Sequence, residues 1–215
     1  MSTHALHLRA DDPKAVCVLV HGRGQSPEEM QSHILARLDA PDVTFVLPRA
    51  ADGSWYAAKA VDPLTDDTRG ALGAALDQLE GDVAAARRAC PGLPLMLAGF
   101  SQGACLSLEY ACSGRSAPGA LVAFTGCRVG APSDDRPLSL PDGLPVYLTG
   151  SDNDPWIPVQ AFAEAALDLG RQKARLRTDL FPGRGHEVSD AEIAMMQTVL
   201  ADLAHGKTPA MAAPR

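Results

Sequence analysis

Gly99-Phe100-Ser101-Gln102-Gly103 sets a serine between glycines where an apolar run stops and a helix-forming run begins. In this G-x-S-x-G context Ser101 is a candidate nucleophile. A sharp strand-to-helix turn lifts the hydroxyl, the glycines let neighbouring backbone approach, and the following helix N-terminus favours developing negative charge. A serine hydroxyl is a poor nucleophile at neutral pH and requires a base. Of the six histidines, His4 and His7 are near the N-terminus, and His21 ends a buried run. His33 lies on the polar side of a capped helix, and His205 is near the C-terminus. His186, in Pro182-Gly183-Arg184-Gly185-His186, occupies a glycine-rich loop between the last strand-like run and a capped helix, and is the candidate base.

The acid is expected after a strand between serine and histidine. Gly150-Ser151-Asp152-Asn153-Asp154-Pro155 follows the apolar run Val146–Leu148 and offers two aspartates. Asp154 precedes a proline, which imposes extended backbone, whereas Asp152 is closer to the strand end. Spacing alone leaves both open. The order serine, aspartate, histidine is the one used on α/β-hydrolase scaffolds, not by chymotrypsin-like or subtilisin-like proteases. Acyl transfer also needs preorganised donors for a tetrahedral oxyanion. The Gln102 backbone N–H is one. The Arg23 N–H, in His21-Gly22-Arg23-Gly24, is the other, because glycines there allow the backbone to curl toward the serine. Trp55, Tyr56, Trp156, Ile157 and Val188 are candidate apolar lining for a substrate pocket.

These residues need a scaffold that brings distant segments to one edge. Val16–Val20, Val43–Leu47, Leu95–Phe100, Ala120–Phe124, Val146–Leu148 and Arg175–Phe181 read as strands. Most are apolar without alternation, as in parallel strands buried on both faces. Helical segments separate them. Ser26-Pro27-Glu28-Glu29 reads as a capping box before Met30, Ile34, Leu35 and Leu38. Leu72, Leu76, Leu79, Val83 and Ala86 repeat at helical spacing within about Thr68 to Ala89. Gln102 to Ala111 is a short, almost wholly apolar helix, and Pro158 opens another carrying Phe162, Ala166 and Leu169. Ser189-Asp190-Ala191-Glu192 is a second capping box, before Ile193, Met196, Leu200 and Leu203. Alternating strands and helices imply an α/β fold, with a mostly parallel sheet covered on both faces. The expected organisation is a single α/β-hydrolase domain over 1–206, without a cap domain, followed by a flexible tail from Lys207.

Composition fits a globular protein, with 46% apolar and 21% charged residues. The formal net charge of −7 argues against nucleic-acid binding and against electrostatic docking on anionic membrane. No apolar run is long enough to span a bilayer, and the N-terminus lacks a signal-peptide pattern. The five cysteines form no C-x-x-C pair and read as reduced, buried thiols of a cytoplasmic protein, without a metal site.

The chain resembles the phospholipase/carboxylesterase family, which includes acyl-protein thioesterases. The resemblance rests on His21-Gly22-Arg23-Gly24, Gly99-Phe100-Ser101-Gln102-Gly103-Ala104, Asp154-Pro155-Trp156-Ile157-Pro158 and Gly185-His186. It implies Asp154 as the acid, a cap-less fold, no cofactor, and hydrolysis of carboxylic esters, lysophospholipids or thioesters. Arg23 stands where thioesterases of the family carry an apolar residue, and Ser54-Trp55-Tyr56 is similar to the bacterial carboxylesterase branch. The expected substrate is therefore a small short-chain or aryl ester. The expected assembly is a monomer or homodimer, without nucleic-acid partners or stable membrane insertion. The rivals are an acyl-protein thioesterase or lysophospholipase, a non-catalytic binding protein on the same fold, and an acyltransferase.

Overall fold

A computed structural model describes residues 5–212. Its strands are β1 (Leu6–Leu8), β2 (Ala15–Val20), β3 (Val43–Leu47), β4 (Leu95–Phe100), β5 (Ala120–Phe124), β6 (Pro145–Gly150) and β7 (Arg175–Leu180). Every residue of β2 to β6 is buried. They form one sheet in the order β1-β3-β2-β4-β5-β6-β7, in which only β1 runs antiparallel to its neighbour. β1 is not among the strands expected from the sequence. It is three residues long and sits on an edge with His7 exposed, so it carries no periodic signal.

The helices are α1 (Pro27–His33), α2 (Asp66–Ala89), α3 (Gln102–Cys112), α4 (Val159–Arg171) and α5 (Asp190–Ala204). Successive strand residues feed opposite layers. Val16, Val18 and Val20 pack with α2, α3 and α4. Ala15, Cys17 and Leu19 pack with α1 and α5. All eleven residues of α3 are buried, in accord with its apolar composition.

Some boundaries differ from expectation. Ser26 accepts from the Glu29 N–H, but the reciprocal bond from the Glu29 carboxylate does not form, and the neighbouring Glu28 pairs with Arg49. The helix stops at His33, and Leu35–Arg37 continue as a 3-10 turn. The Ser189 box forms in full. α2 starts earlier than expected, capped by the Thr65 side chain. The segment from Lys207 lies against the body, with Pro209 and Met211 buried and Arg175 donating to the Pro209 carbonyl. His4 and the last three residues lie outside the described residues.

The chain leaves β2 toward β3 on one side, then crosses back to enter β4 on the other. The carboxyl ends of β2 and β4 therefore flank a topological switch point, where open α/β sheets form their ligand crevices. Val20 pairs with Gly99 in the register, so the loops after both strands emerge side by side.

An ion pair fastens α3 to the loop after β5. Arg128 Nε donates to Glu109 Oε1 at 2.7 Å and Nη2 to Oε2 at 3.1 Å, with both side chains almost fully enclosed. The Val129 N–H also donates to Glu109 Oε1, at 2.8 Å. Removing one partner leaves a buried, uncompensated charge. Glu109→Ala is expected to lower the free energy of unfolding by about 3–5 kcal/mol in urea titrations. A paired Glu109→Leu/Arg128→Met replacement is expected to recover most of that loss.

Candidate active site

Ser101 occupies the single residue between β4 and α3, with φ 54° and ψ −121°. A non-glycine residue there carries about 1–3 kcal/mol of strain, which surrounding contacts must sustain. The Ser101 N–H donates to the Phe124 carbonyl at 2.9 Å, and its carbonyl accepts from the Cys105 N–H at 3.0 Å. Glycine is required on both sides by close approach of backbone. A Cβ on Gly99 would lie 2.3 Å from the Gly103 carbonyl oxygen, and one on Gly103 would lie 2.2 Å from that of Val20.

His186 Nε2 lies 2.7 Å from Ser101 Oγ, and its Nδ1 lies 2.7 Å from Asp154 Oδ2. The other carboxylate oxygen of Asp154 accepts from the N–H groups of Trp156 at 2.8 Å and Ile157 at 3.0 Å. Burial raises the Asp154 pKa. The His186 hydrogen bond and the two backbone N–H groups outweigh it and hold the carboxyl below its ordinary 3.8. An ionised Asp154 accepts from Nδ1–H, which leaves Nε2 to accept from the serine hydroxyl. The Phe100 ring packs on the imidazole with centroids 5.0 Å apart. Asp152 stands apart from this relay. Its Oδ1 accepts from the Gly183 N–H at 2.6 Å and so ties the aspartate loop to the histidine loop.

The loop after β2 is locked by groups that sequence reasoning missed. His21 is fully buried; the Ala50 N–H donates to its Nε2 at 3.1 Å, so Nδ1 carries the proton and donates to the Gly22 carbonyl at 2.7 Å. Burial pushes its pKa down against the pull of the Gly22 hydrogen bond, so the ring is neutral. Trp55 Nε1 donates to the His21 carbonyl at 2.9 Å. The Gln102 side chain clamps the facing loop. Its Oε1 accepts from the Trp55 N–H at 3.0 Å and Ser54 Oγ at 3.3 Å, and its Nε2 donates to the Tyr56 carbonyl at 2.7 Å. The Arg23 guanidinium donates to the Ala57 carbonyl at 2.8 Å and to the Ala58 carbonyl. The two residues expected to offer oxyanion N–H groups thus both hold segment 54–58 with their side chains. A lone Gln and a loop Arg carry no pattern that announces this.

Ser101 and His186 open onto a cavity of about 470 Å³. Of the candidate lining residues, Tyr56, Trp156 and Ile157 border it, together with Arg23, Gln102, Phe100, Gln25 and Lys59. Two of the expected lining residues lie elsewhere. Trp55 is buried beneath the wall, where its indole N–H needs the His21 carbonyl and its ring packs on the imidazole, with centroids 4.9 Å apart. Val188 lines a neighbouring groove of about 520 Å³ beyond the Phe100 and His186 rings. Among the described residues no group of three or more His, Cys, Asp or Glu side chains is gathered as for a metal ion. No helix among them is long and apolar enough to cross a membrane.

The family model described as Phospholipase/Carboxylesterase matches residues 3–204. The chain belongs to the phospholipase/carboxylesterase family. No match is found among curated proteins. The structure is similar to a phospholipase/carboxylesterase from Dyadobacter fermentans DSM 18053, at 28% identity and TM-score 0.80, covering 93% of this chain and 97% of that one. It shares its fold with esterase PE8 (23% identity, TM-score 0.73, 93% and 98% covered). The same holds for acyl-protein thioesterase 2 of Zea mays (15%, 0.73, 94% and 100%). As a member of the phospholipase/carboxylesterase family, the chain has the cap-less α/β-hydrolase fold of a hydrolase family.

The depressed Asp154 pKa makes the carboxylate's stabilising contribution a function of pH. It is fully present above the ordinary 3.8 and is lost as pH falls through the lower, folded-state value. Urea unfolding of wild type and Asp154→Asn across acid pH is expected to show a stability gap that closes in that window. A gap that widens on acidification would contradict an ionised Asp154.

Proposed function

We propose that the chain is a serine carboxylic-ester hydrolase that acts through an acyl-enzyme on short-chain or aryl esters. The observation that carries this reading is the continuous hydrogen-bonded line from Ser101 Oγ through His186 to Asp154, open to a cavity.

In this reading His186 Nε2 takes the Ser101 proton as Oγ attacks the ester carbonyl carbon. The carbonyl oxygen becomes an oxyanion received by the N–H groups of Arg23 and Gln102. Asp154 holds the imidazole in the productive tautomer and stabilises its charged form. As the tetrahedral centre collapses, the C–O bond to the alcohol breaks and His186 returns its proton to the leaving oxygen. Water, deprotonated by His186, then attacks the acyl-serine, and a second collapse releases the carboxylic acid and regenerates Ser101. This chemistry needs no metal or organic cofactor.

The walls favour a modest substrate. Tyr56, Phe100 and Ile157 give the cavity an apolar interior, and Trp156 stands exposed at its edge, where a planar aryl group can stack. The Arg23 bonds to Ala57 and Ala58 hold that segment at the cavity's edge, and a cavity of about 470 Å³ supports short acyl groups over long ones. The five unpaired thiols support a reducing compartment such as the cytoplasm.

Hydrolysis of p-nitrophenyl esters from acetate to palmitate by wild type and Ser101→Ala tests the proposal. The expected result is a short-chain optimum, with kcat falling by about 10⁶ in the variant. A long-chain optimum would favour the thioesterase or lysophospholipase reading. Undiminished activity in Ser101→Ala would remove the serine from its role, and inactivity of the wild type on every ester would favour a binding protein.

A further inference from the structure

A second cavity, of about 180 Å³, lies beside the one at Ser101. The linings adjoin along two segments: Ala60 and Ile157 line the first, Val61 and Pro158 the second. Its polar residues are Arg128, Arg136, Gln160 and Glu164.

Arg128 is 2% exposed. Glu109 takes its Nε and Nη2, and the Pro137 carbonyl takes Nη2 as well. Nη1 is buried without a hydrogen-bond partner among the described residues, its nearest carboxylate oxygen being Asp168 Oδ2 at 3.9 Å. A buried cationic N–H left unpaired is costly, and an acceptor in the cavity would relieve it. Two further features favour an anionic acceptor. Arg136, held at 3.0 Å by Asp168, adds a second guanidinium. α4 begins here at Val159 after Pro158, with no side-chain cap on its first N–H groups, so its positive end faces this region. Against an anion stands Glu164, whose carboxylate is engaged by Gln160 Nε2 at 2.9 Å. Asp168 is shared between Arg136 and Arg171, and Glu109 is fully occupied by Arg128 and Val129.

We propose that this cavity is a subsite for a carboxylate at the far end of the substrate's acyl chain, so that half-esters of dicarboxylic acids are preferred to neutral esters of equal length. The inference rests on the ester-hydrolase reading of Ser101. The acyl group would run from the serine past Ala60 and Ile157. Its terminal carboxylate would accept from Arg128 Nη1 and Arg136, and the chain length that bridges the two cavities sets the optimum.

The test is kcat/KM for monoethyl esters of adipic, pimelic and suberic acid against ethyl hexanoate, heptanoate and octanoate, followed by acid release. Wild type is expected to prefer at least one half-ester by about tenfold, as a charge-assisted hydrogen bond would give. Arg128 is left intact, because its loss strands Glu109. Two less buried positions serve instead and predict opposite signs: Arg136→Gln lowers the preference severalfold, and Glu164→Gln raises it. Hydrolysis of neutral esters with no preference for any half-ester would overturn the subsite and leave the hydrolase reading standing. So would a preference that neither variant moves. Calorimetric titration of Ser101→Ala with adipate separates the two ideas. Adipate binding that weakens in Ser101→Ala/Arg136→Gln supports the subsite even if no ester is cleaved. Absence of adipate binding counts against it.

Discussion

The geometry of the candidate site depends on one turn of backbone. Ser101 can hold φ 54° only because the turn is fixed at both ends. Its N–H is bonded to the end of β5, its carbonyl to the first turn of α3, and α3 itself has no solvent face. The turn in turn demands that α3 press against β2 and β4, which leaves no room for a side chain at Gly99 or Gly103. The fold thus sustains local strain by burying a whole helix, and the hydroxyl sits at the sheet's carboxyl edge as a result.

The loops that meet this serine are braced mutually. Asp152 links the aspartate loop to the histidine loop, and Ser151 Oγ donates to the Arg184 carbonyl across the same gap. Arg184 is in turn paired with the fully buried Glu192 at the start of α5. On the other side, neutral His21 and the Gln102 amide fix the loops after β2 and β3. Loops braced in this way hold their backbone N–H groups in place before any ligand arrives.

The central strands are legible in the sequence because burial on both faces leaves unbroken apolar runs, as in Val16–Val20 and Ala120–Phe124. The Ser101 turn is legible because its glycines answer a steric demand. Asp154 is not separable from Asp152 by spacing, since the choice depends on which way each carboxylate points within one loop; the family resemblance supplies that choice. Trp55 and Val188 are apolar and near the site in sequence, but one is packed under the wall and the other faces the adjacent groove. The Gln102 clamp leaves no pattern, because a side-chain amide bonding backbone of a distant loop depends on tertiary contact alone. The edge strand β1 and the packed segment around Met211 escape sequence reasoning for the same reason.

The complete enclosure of α3 also sorts the molecule by local stability. Local opening energies follow buried contacts and protected backbone bonds. Freeing Ser101 would require prying α3 from the centre of the sheet, an event close to global unfolding. The cavity wall over 57–61, by contrast, is irregular, partly exposed backbone held by a few polar bonds. In amide exchange the helix that follows Ser101 should therefore belong to the slowest class and the wall beside it to a much faster one. Ser101 is thereby seated on the most persistent part of the fold, beside a wall that can shift without moving it.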